Sequence, residues 1–391
     1  MSIFFFKIFF TGGTQYKYSK ESKFSIEILC QLYYTVFITP LGGKRMLKKV
    51  LPLLLCITIC LLAGCSKNND RLSVDKGDEP SSSETESAPV LSKNPLTGIS
   101  ELTADKADDR PVAIMINNIN IAQPVQTGLN KADIIFETEV EGGITRLLAV
   151  FQDVAKSERI GTIRSARYPY VDLALGLNAI YLHAGKDGTY CAPHLNDIDD
   201  IDLLSKSNYG FRVKNGLASE HTLYTEGGEL WSNLVKDGVK TERGSSAEWV
   251  SFAEEDAPVA LENAASTVSV PFSASYKTVM KYDSASGRYT RYFGNTVRND
   301  YITGEAVNVK NVFVLLTSIR NYPDGYHRQI DLESGDGYYC VNGTYTAIKW
   351  SKGAAKNGFK FTKADGSELT VNPGNSWVCI ADKGTSQPVF E

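Results

Sequence analysis

The sequence is poor in several features that mark common protein classes. Its 391 residues include only four histidines, and 41 Lys and Arg stand against 45 Asp and Glu, a net charge of −4. Domains that bind nucleic acid usually carry a clear basic excess, so nucleic acid is not expected as a partner. Hydrophobic residues make up 42%, near the share of an ordinary globular chain, which excludes a disordered polymer and a many-span membrane protein.

The chain also lacks the spacing motifs of metal and cofactor sites. It contains no HExxH, HxH or CxxC, and no GxSxG, P-loop or GxGxxG stands in the strand-to-helix context that those motifs need. The sequence therefore predicts no metal and no cofactor.

Cysteine is scarce in the part of the chain predicted to fold. Only Cys191, Cys340 and Cys379 lie there, an odd number that argues against a structural zinc site. Cys340 and Cys379 could form a disulfide outside the membrane or remain two separately buried thiols, and the sequence leaves both alternatives open.

A short apolar run after Met46 indicates export. Lys48 and Lys49 precede apolar residues 50–62, and the run ends in Leu-Ala-Gly-Cys at Cys65. A basic start, an apolar core of about 7–15 residues and small residues before a cleavage point predict a secretory signal peptide. The run is shorter than the roughly 20 residues of a membrane span.

Because it ends in Ala-Gly-Cys, this segment (residues 46–64) resembles a bacterial lipoprotein signal. The resemblance implies cleavage before Cys65, diacylglycerol on its sulfur and a further acyl chain such as palmitate. Residues 1–45 are then a non-native extension before the true start. Residues 65–93, rich in Ser, Glu, Asp and Lys and without aromatics, predict a disordered tether. The expected location is the extracytoplasmic face of the cell membrane.

The folded part divides into two halves of different pattern. Residues 94–236 alternate strand-like runs, such as 111–116, with helix-like runs, such as 226–235. This alternation predicts a three-layer α/β domain with a mixed sheet.

After a connection at residues 237–265, strands dominate residues 266–391. Turn signals such as Asn342-Gly343 separate them and predict a mostly antiparallel β domain. The fold class expected for the whole chain is α+β.

Two glycines, Gly142 and Gly143, separate two strand-like runs. If they form a two-residue hairpin turn, opposed residues have numbers that sum to 285. One face then carries three carboxylates with an arginine opposite the middle one: Glu137, Glu139, Glu141 and Arg146. This face is either solvated, with one cross-strand ion pair, or partly covered, in which case its carboxylates need partners.

Residues 160–167, IGTIRSAR, form a segment that we call the arginine turn. It leads from a strand into a helix that Pro169 begins, so Arg164 and Arg167 lie where open α/β sheets bind ligands. Two guanidinium groups beside a helix N-terminus suit a phosphate or a carboxylate. The alternative is a structural network in which the arginines pair with Asp172, Glu137 or Glu141.

Two histidines follow strand-like runs of the same half. His183 ends the buried run 179–183, and His221 precedes Thr-Leu-Tyr-Thr. We expect both to line the cleft at the arginine turn, with a purely structural role as the alternative.

Several segments, in order, resemble the YerB-like lipoprotein family: PVAIMINN (111–118), IGTIRSAR (160–167), AIYLHAG (179–185), HTLYT (221–225) and NPGNSWV (372–378). That family has two consecutive domains of unassigned function and occurs in Gram-positive bacteria. The resemblance extends over about residues 94–383. It implies a lipid anchor and a two-domain layout, and it supplies no reaction.

We therefore predict a lipid-anchored cell-envelope protein that binds an anionic or sugar-containing wall ligand. The expected ligand-binding residues are Arg164, Arg167, Arg146, Glu137, Glu141, Asp172, His183 and His221. One alternative is a phosphoryl or glycosyl transferase acting on wall precursors, in which the arginines stabilise developing phosphate charge. Another is a structural adaptor that binds an envelope protein through an edge strand. The expected partners are the membrane, through the lipid on Cys65, and a wall polymer, a lipid-linked precursor or an envelope protein.

Overall fold

The computed structural model describes residues 91–244, 249–255, 259 and 261–391. The predicted extension, signal peptide and lipidated Cys65, together with most of the tether, lie outside the described residues. All described residues belong to one compact unit, Glu86–Glu391. No helix of this described part is both long and apolar enough to cross a membrane.

The described residues contain three α-helices: α1 (Ala104–Ala107), α2 (Tyr168–Gly176) and α3 (Gly227–Lys236). Helix α2 carries Pro169 in its first turn, where a missing N–H costs no hydrogen bond. Leu230 and Leu234 lie one turn apart on α3 and are both buried. The predictions of α2 and α3 are confirmed.

Ten strands precede residue 240. They are β1 (Ser92–Lys93), β2 (Ser100–Leu102), β3 (Val112–Asn117), β4 (Ile134–Glu139), β5 (Thr145–Phe151), β6 (Arg159–Gly161), β7 (Ile180–His183), β8 (Asp200–Asp202), β9 (Phe211–Arg212) and β10 (Leu223–Glu226).

Sixteen described strands follow. They are β11 (Ser251–Phe252), β12 (Asn263–Ala264), β13 (Thr267–Ser273), β14 (Tyr276–Asp283), β15 (Arg288–Phe293), β16 (Thr296–Val297), β17 (Asn308–Val309), β18 (Asn311–Thr317), β19 (Ile319–Asn321), β20 (Arg328–Ile330), β21 (Ser334–Val341), β22 (Thr344–Ser351), β23 (Lys360–Lys363), β24 (Thr370–Val371), β25 (Ser376–Asp382) and β26 (Val389–Phe390).

One mixed sheet of eleven strands runs through both halves of the chain. Its spatial order is β12-β22-β21-β18-β25-β4-β5-β3-β7-β8, with β23 beside β22. The halves meet where β25 pairs in parallel with β4, and β25 is also parallel to β18. Strands β3, β4 and β5 are buried along their whole length, as expected for strands covered on both faces. The fold is therefore rich in strands, mixed in direction and poor in helix.

Two hydrophobic cores lie on the two faces of this sheet. On one face, Phe136 and Phe313 pack with Tyr170 and Val171 of α2. The other core joins Leu147 and other residues of the large sheet to α3 and to a six-stranded sheet, β16-β15-β14-β13-β26 with β17 beside β15. The burial of both faces explains the long apolar strands of the sequence.

Two predicted hairpins differ in outcome. Asn342 and Gly343 both have positive φ and join β21 to β22 as a two-residue turn, so that prediction is confirmed. The register predicted at Gly142-Gly143 is wrong. Opposed residues of β4 and β5 sum to 284, because Glu141, Gly142 and Gly143 form a short 3-10 turn with positive φ at both glycines.

The shift of register changes the partners of the carboxylates. Arg146 lies opposite Thr138, and Glu139 lies opposite Thr145. Glu137, Glu139 and Glu141 are all buried, which excludes the solvated face.

Cys340 and Cys379 are free, buried thiols. Strand β18 separates them, because Cys340 pairs with Val312 and Cys379 with Val314. Of the two alternatives left open by the sequence, the separate thiols are found.

Candidate functional site

Backbone hydrogen bonds hold the arginine turn against strands β3 and β7. The N–H of Arg164 donates to the carbonyl of Met115 at 3.0 Å, and the N–H of Ala184 donates to the carbonyl of Arg164 at 3.1 Å. The N–H of Ala166 donates to the carbonyl of Gly185 at 2.9 Å. Because β3 and β7 are parallel, the turn crosses their carboxyl ends, the edge at which open α/β sheets bind ligands.

Arg167, the residue before α2, is paired with Glu141. Its Nε donates to Glu141 Oε1, and both side chains are largely buried. Burial of Glu141 opposes its ionisation, but the hydrogen bond and charge of Arg167 and the charge of Arg146 outweigh that effect. The pKa of Glu141 is therefore lowered, and the carboxylate stays charged at neutral pH.

Arg146 lies beside this pair and is buried. Its Nη1 donates to the carbonyl of Ser165 at 2.7 Å. Burial, and next the charge of Arg167, lower the pKa of Arg146 to about 10, so it remains a cation at neutral pH. Within the described residues Arg146 has no carboxylate within 4 Å.

His327 lies in the β19–β20 hairpin, in the second half of the chain, and contacts the same site. His327 Nε2 lies 3.5 Å from Asp187 Oδ1 and 3.7 Å from Glu141 Oε1. Its Nδ1 lies 2.6 Å from Asp324 Oδ2. Both ring nitrogens therefore face carboxylates, and the imidazole bridges the two halves of the chain.

Arg328, the next residue, forms a second ion pair across the same boundary. Its Nη2 donates to Glu139 Oε2 at 2.6 Å. Glu139 Oε1 and Arg328 Nε are buried and have no hydrogen-bond partner among the described residues. Burial raises the pKa of Glu139, and Arg328 only partly offsets this.

Aromatic rings close the site. Tyr190 and Tyr322 stack with centroids 3.8 Å apart, and Tyr168 meets Tyr322 edge-on at 5.8 Å. The rings and the charged side chains enclose a cavity of about 10 Å³, enough for roughly one water molecule.

Arg164 extends the cluster toward solvent. Its Nη2 lies 3.2 Å from Glu220 Oε1, and His221 Nε2 lies 3.6 Å from the same oxygen. His221 Nδ1 is 2.8 Å from Asn117 Nδ2. Burial, opposed by Glu220, lowers the pKa of His221, which favours a neutral imidazole.

Two family models match this chain. They are described as the N-terminal and the C-terminal domain of a protein of unknown function (DUF3048), and they match residues 96–240 and 268–378. The chain belongs to this family. A Bacillus subtilis (strain 168) relative named "Putative lipoprotein YerB" is 31% identical over 301 residues, which are 74% of this chain and 86% of the relative. The resemblance to the YerB-like family is thus confirmed.

A solved structure shares the fold. The crystal structure of the YerB protein from Bacillus subtilis matches with a TM-score of 0.65 and 28% sequence identity. The match covers 76% of this chain and 99% of the crystallised chain. The DUF3048 fold described above is therefore shared with YerB.

Three residues predicted for the site have other partners in this DUF3048 chain. Asp172 of α2 pairs with His194 Nδ1 at 2.9 Å. His183 is buried, with Nε2 2.9 Å from Asp200 Oδ2 and Nδ1 2.9 Å from the carbonyl of Gly185. Glu137, the third, belongs to a separate buried cluster.

The Glu137 cluster joins the large sheet to the six-stranded sheet. Glu137 Oε1 accepts hydrogen bonds from Asn118 and Thr145, at 3.1 and 2.7 Å. Its Oε2 accepts from Thr278 at 2.8 Å and from the indole N–H of Trp377 at 2.9 Å. Four donors thus saturate a fully buried carboxylate.

The structure therefore brings together Arg146, Arg164, Arg167, Glu141 and His221 at or beside the arginine turn. It adds residues that the sequence did not indicate as site residues: Glu139, Asp187, Tyr190, Tyr322, His327 and Arg328. The Arg328–Glu139 contact links positions 189 apart, and no local pattern in a sequence indicates such a contact.

Proposed function

We propose that this DUF3048 chain is a lipid-anchored cell-envelope protein that binds an anionic or sugar-containing wall ligand at the arginine turn. Arg146, Arg164 and Arg167 supply the positive charge. Glu141 and His221 orient the guanidinium groups and line the site.

Arg146 is the observation that carries this proposal. A buried cation is costly unless an anion or several hydrogen bonds compensate for its lost hydration. Arg146 has two arginines as electrostatic neighbours, and Glu141, the carboxylate that acts on it within the described residues, is already bound to Arg167. An anionic ligand at this position would supply the missing counter-charge.

The lipid anchor is supported by the lipoprotein-like segment before Cys65 and by the name of the Bacillus relative. Attachment at Cys65 would hold the folded unit at the outer face of the membrane, close to wall polymers and their lipid-linked precursors.

We further propose the layout expected from the sequence, a three-layer α/β unit at residues 94–236 and a β unit at residues 266–391. The burial of α2 and α3 residues in different cores supports the layers, and the separate matches of the two family models support the division.

Calorimetric titration of the full chain in detergent tests the ligand proposal. The probes are inorganic pyrophosphate, a glycerol-phosphate oligomer and a muropeptide. We expect saturable binding that Arg146→Met weakens by about ten- to a hundredfold. This factor corresponds to the free energy of one charge-assisted hydrogen bond to an anion. Binding that the Arg146→Met variant retains in full would contradict the proposal.

Arg159→Ala serves as the matched control. Arg159 pairs with Glu226 at 3.3 Å and its side chain is 29% exposed, close to the 27% of Arg164. Its loss should leave binding unchanged, whereas Arg164→Ala should weaken it. Turnover of any probe would favour the transferase instead.

A further inference from the structure

The β19–β20 hairpin lies apart from the two large sheets. Among the described strands, β19 and β20 pair only with each other. The base of the hairpin is fixed where the N–H of Asp331 donates to the carbonyl of Ser318 at 3.1 Å. Tyr168 OH also donates to the carbonyl of Ile330 at 2.7 Å. Residues 322–327 form the tip.

Side chains make the contacts that join the hairpin to the end of β4, to the turn after it and to the loop after β7. His327 faces Glu141 and Asp187, Arg328 binds Glu139, and Tyr322 stacks on Tyr190. Such contacts can break without loss of any backbone hydrogen bond of the large sheet.

The closed hairpin leaves no room for a ligand beside Arg167 and Glu141. The cavity there measures about 10 Å³, which is room for roughly one water molecule. A phosphate group with an attached sugar or lipid is many times larger. If the ligand reaches Arg167, the hairpin has to move.

The closed state also leaves polar atoms unsatisfied. Glu139 is 3% exposed and lines the cavity, and its Oε1 is buried without a hydrogen-bond partner among the described residues; Arg328 Nε is likewise buried without a partner there. Buried unpaired groups carry a free-energy cost that hydration or a ligand removes. Opening the hairpin would relieve this cost at both atoms.

We infer that the β19–β20 hairpin is a gate over the arginine turn, and that a phosphorylated ligand opens it. Phosphate oxygens would replace Glu141 on Arg167 and Glu139 on Arg328, since a guanidinium binds phosphate and carboxylate in the same bidentate manner. This inference rests on the proposed function and adds the chemical class of the ligand and the second wall of its site.

Hydrogen exchange of the full chain without ligand tests the gate itself. Tyr322→Ala removes the stacked ring and should speed exchange of the amides of β19 and β20 about two- to tenfold, the factor to which ring-pair energies convert. Tyr326→Ala is the matched control, because Tyr326 is on the same tip but 60% exposed. Equal exchange in both variants and the wild type would overturn the gate.

Titration then tests the coupling to the ligand. Pyrophosphate, a glycerol-phosphate oligomer and farnesyl pyrophosphate distinguish a free phosphate, a polymer and a lipid as its source. A gate that must open lowers the apparent affinity of the wild type, so Tyr322→Ala should bind the accepted probe two- to tenfold more tightly. Glu139→Gln, which removes the partner of Arg328, should act in the same direction if Tyr322→Ala does not fold.

The outcomes separate the two proposals. Tight binding with no change in hairpin exchange on addition of the probe overturns the gate and leaves the ligand site standing. Absence of binding to the wild type and to both variants overturns both proposals. Faster exchange on binding, together with tighter binding by the variants, supports both.

Discussion

Two glutamates on strand β4, only two residues apart, differ in how fully their carboxylates are hydrogen-bonded. Glu137 accepts four hydrogen bonds and is fully buried. Glu139 has one oxygen on Arg328 and one with no partner in the described structure. A chain generally satisfies buried polar groups whose role is structural. The contrast therefore assigns the Glu137 cluster to stability and makes the arginine turn the candidate for binding another molecule.

The largest expected effect on stability comes from removing the carboxylate of the Glu137 cluster. Glu137→Ala leaves the donors of Thr278 and Trp377 buried without an acceptor and removes a negative charge that favours the charged form of Arg291. We expect a loss of about 3–5 kcal/mol in the free energy of unfolding, measured by urea denaturation. Glu229→Ala, at an exposed position of α3, should cost less than about 1 kcal/mol, and a similar loss in both variants would refute the contrast.

A pair of buried arginines sharpens the comparison. Arg291 donates to Gln126 and Asn118, at 3.0 and 2.7 Å, and packs over Trp377. Arg291→Met should destabilise the chain by about 2–3 kcal/mol, because charged hydrogen bonds are lost. Arg146 is also buried, but it donates one hydrogen bond, to the carbonyl of Ser165, and has no carboxylate within 4 Å among the described residues. Arg146→Met should therefore change the free energy of unfolding by less than Arg291→Met does, by about 1 kcal/mol. Thermal and urea unfolding of both variants gives the answer, and a larger cost at Arg146 would reverse the assignment.

The two glutamates of the arginine-turn site should respond oppositely to pH. Both have a usual pKa of 4.5. Glu141 has a lowered pKa in the folded chain, so its contribution to stability is present above pH 4.5 and is lost as pH falls toward the folded value. Glu139 has a raised pKa, so its contribution declines as pH rises from 4.5 through the folded value. Each unit of pKa corresponds to about 1.4 kcal/mol.

Urea unfolding of the wild type, Glu139→Gln and Glu141→Gln from about pH 2.5 to about pH 7 measures these slopes, because the Glu141 slope lies below pH 4.5 and the Glu139 slope above it. The difference between wild type and each variant should change with pH in opposite directions. Slopes of the same sign would show that the two carboxylates share one environment.

The smallest effect is expected at the exposed edge of the site. Arg164 and Glu220 form an ion pair at 3.2 Å with the glutamate more than half exposed. A double-mutant cycle of Arg164→Ala and Glu220→Ala should give a coupling energy of about 0.2–1 kcal/mol that shrinks in high salt. A salt-independent coupling well above that range would mean that the pair is part of the structural network after all.

The sequence predicted the individual strands and helices of this fold better than the contacts between them. The continuous apolar run 111–116 and the amphipathic run 226–235 are local patterns, so β3 and α3 lie close to their predicted positions. The register of β4 and β5 could not be read in the same way, because a turn of two or of three residues fits the same glycine pair. Glu139 consequently appeared to face Arg146.

No local pattern in the sequence could show that the site combines residues from both halves of the chain. Arg164 and Arg167 were recognisable because a strand, a basic turn and a proline-started helix follow one another in the chain. His327 and Arg328 are recognisable as site residues only from their contacts with Asp187 and Glu139, which lie more than 130 positions earlier in the chain. Asp172 was assigned to the site because it follows the arginine turn in the sequence, but its partner in the structure is His194.

The junction of β4 and β25 has a consequence for the order of events during synthesis. The hydroxyl of Thr138 donates to the carbonyl of Ile380 at 2.8 Å, a bond between residues 242 positions apart. While the polypeptide grows, β4 emerges early and keeps one row of backbone groups open until β25 has been made. An open edge of this kind is a template for wrong pairing, and closing so long a loop is slow. Strand β4, which lies between β25 and β5 in the finished sheet, thus waits with one edge open until β25 has been made.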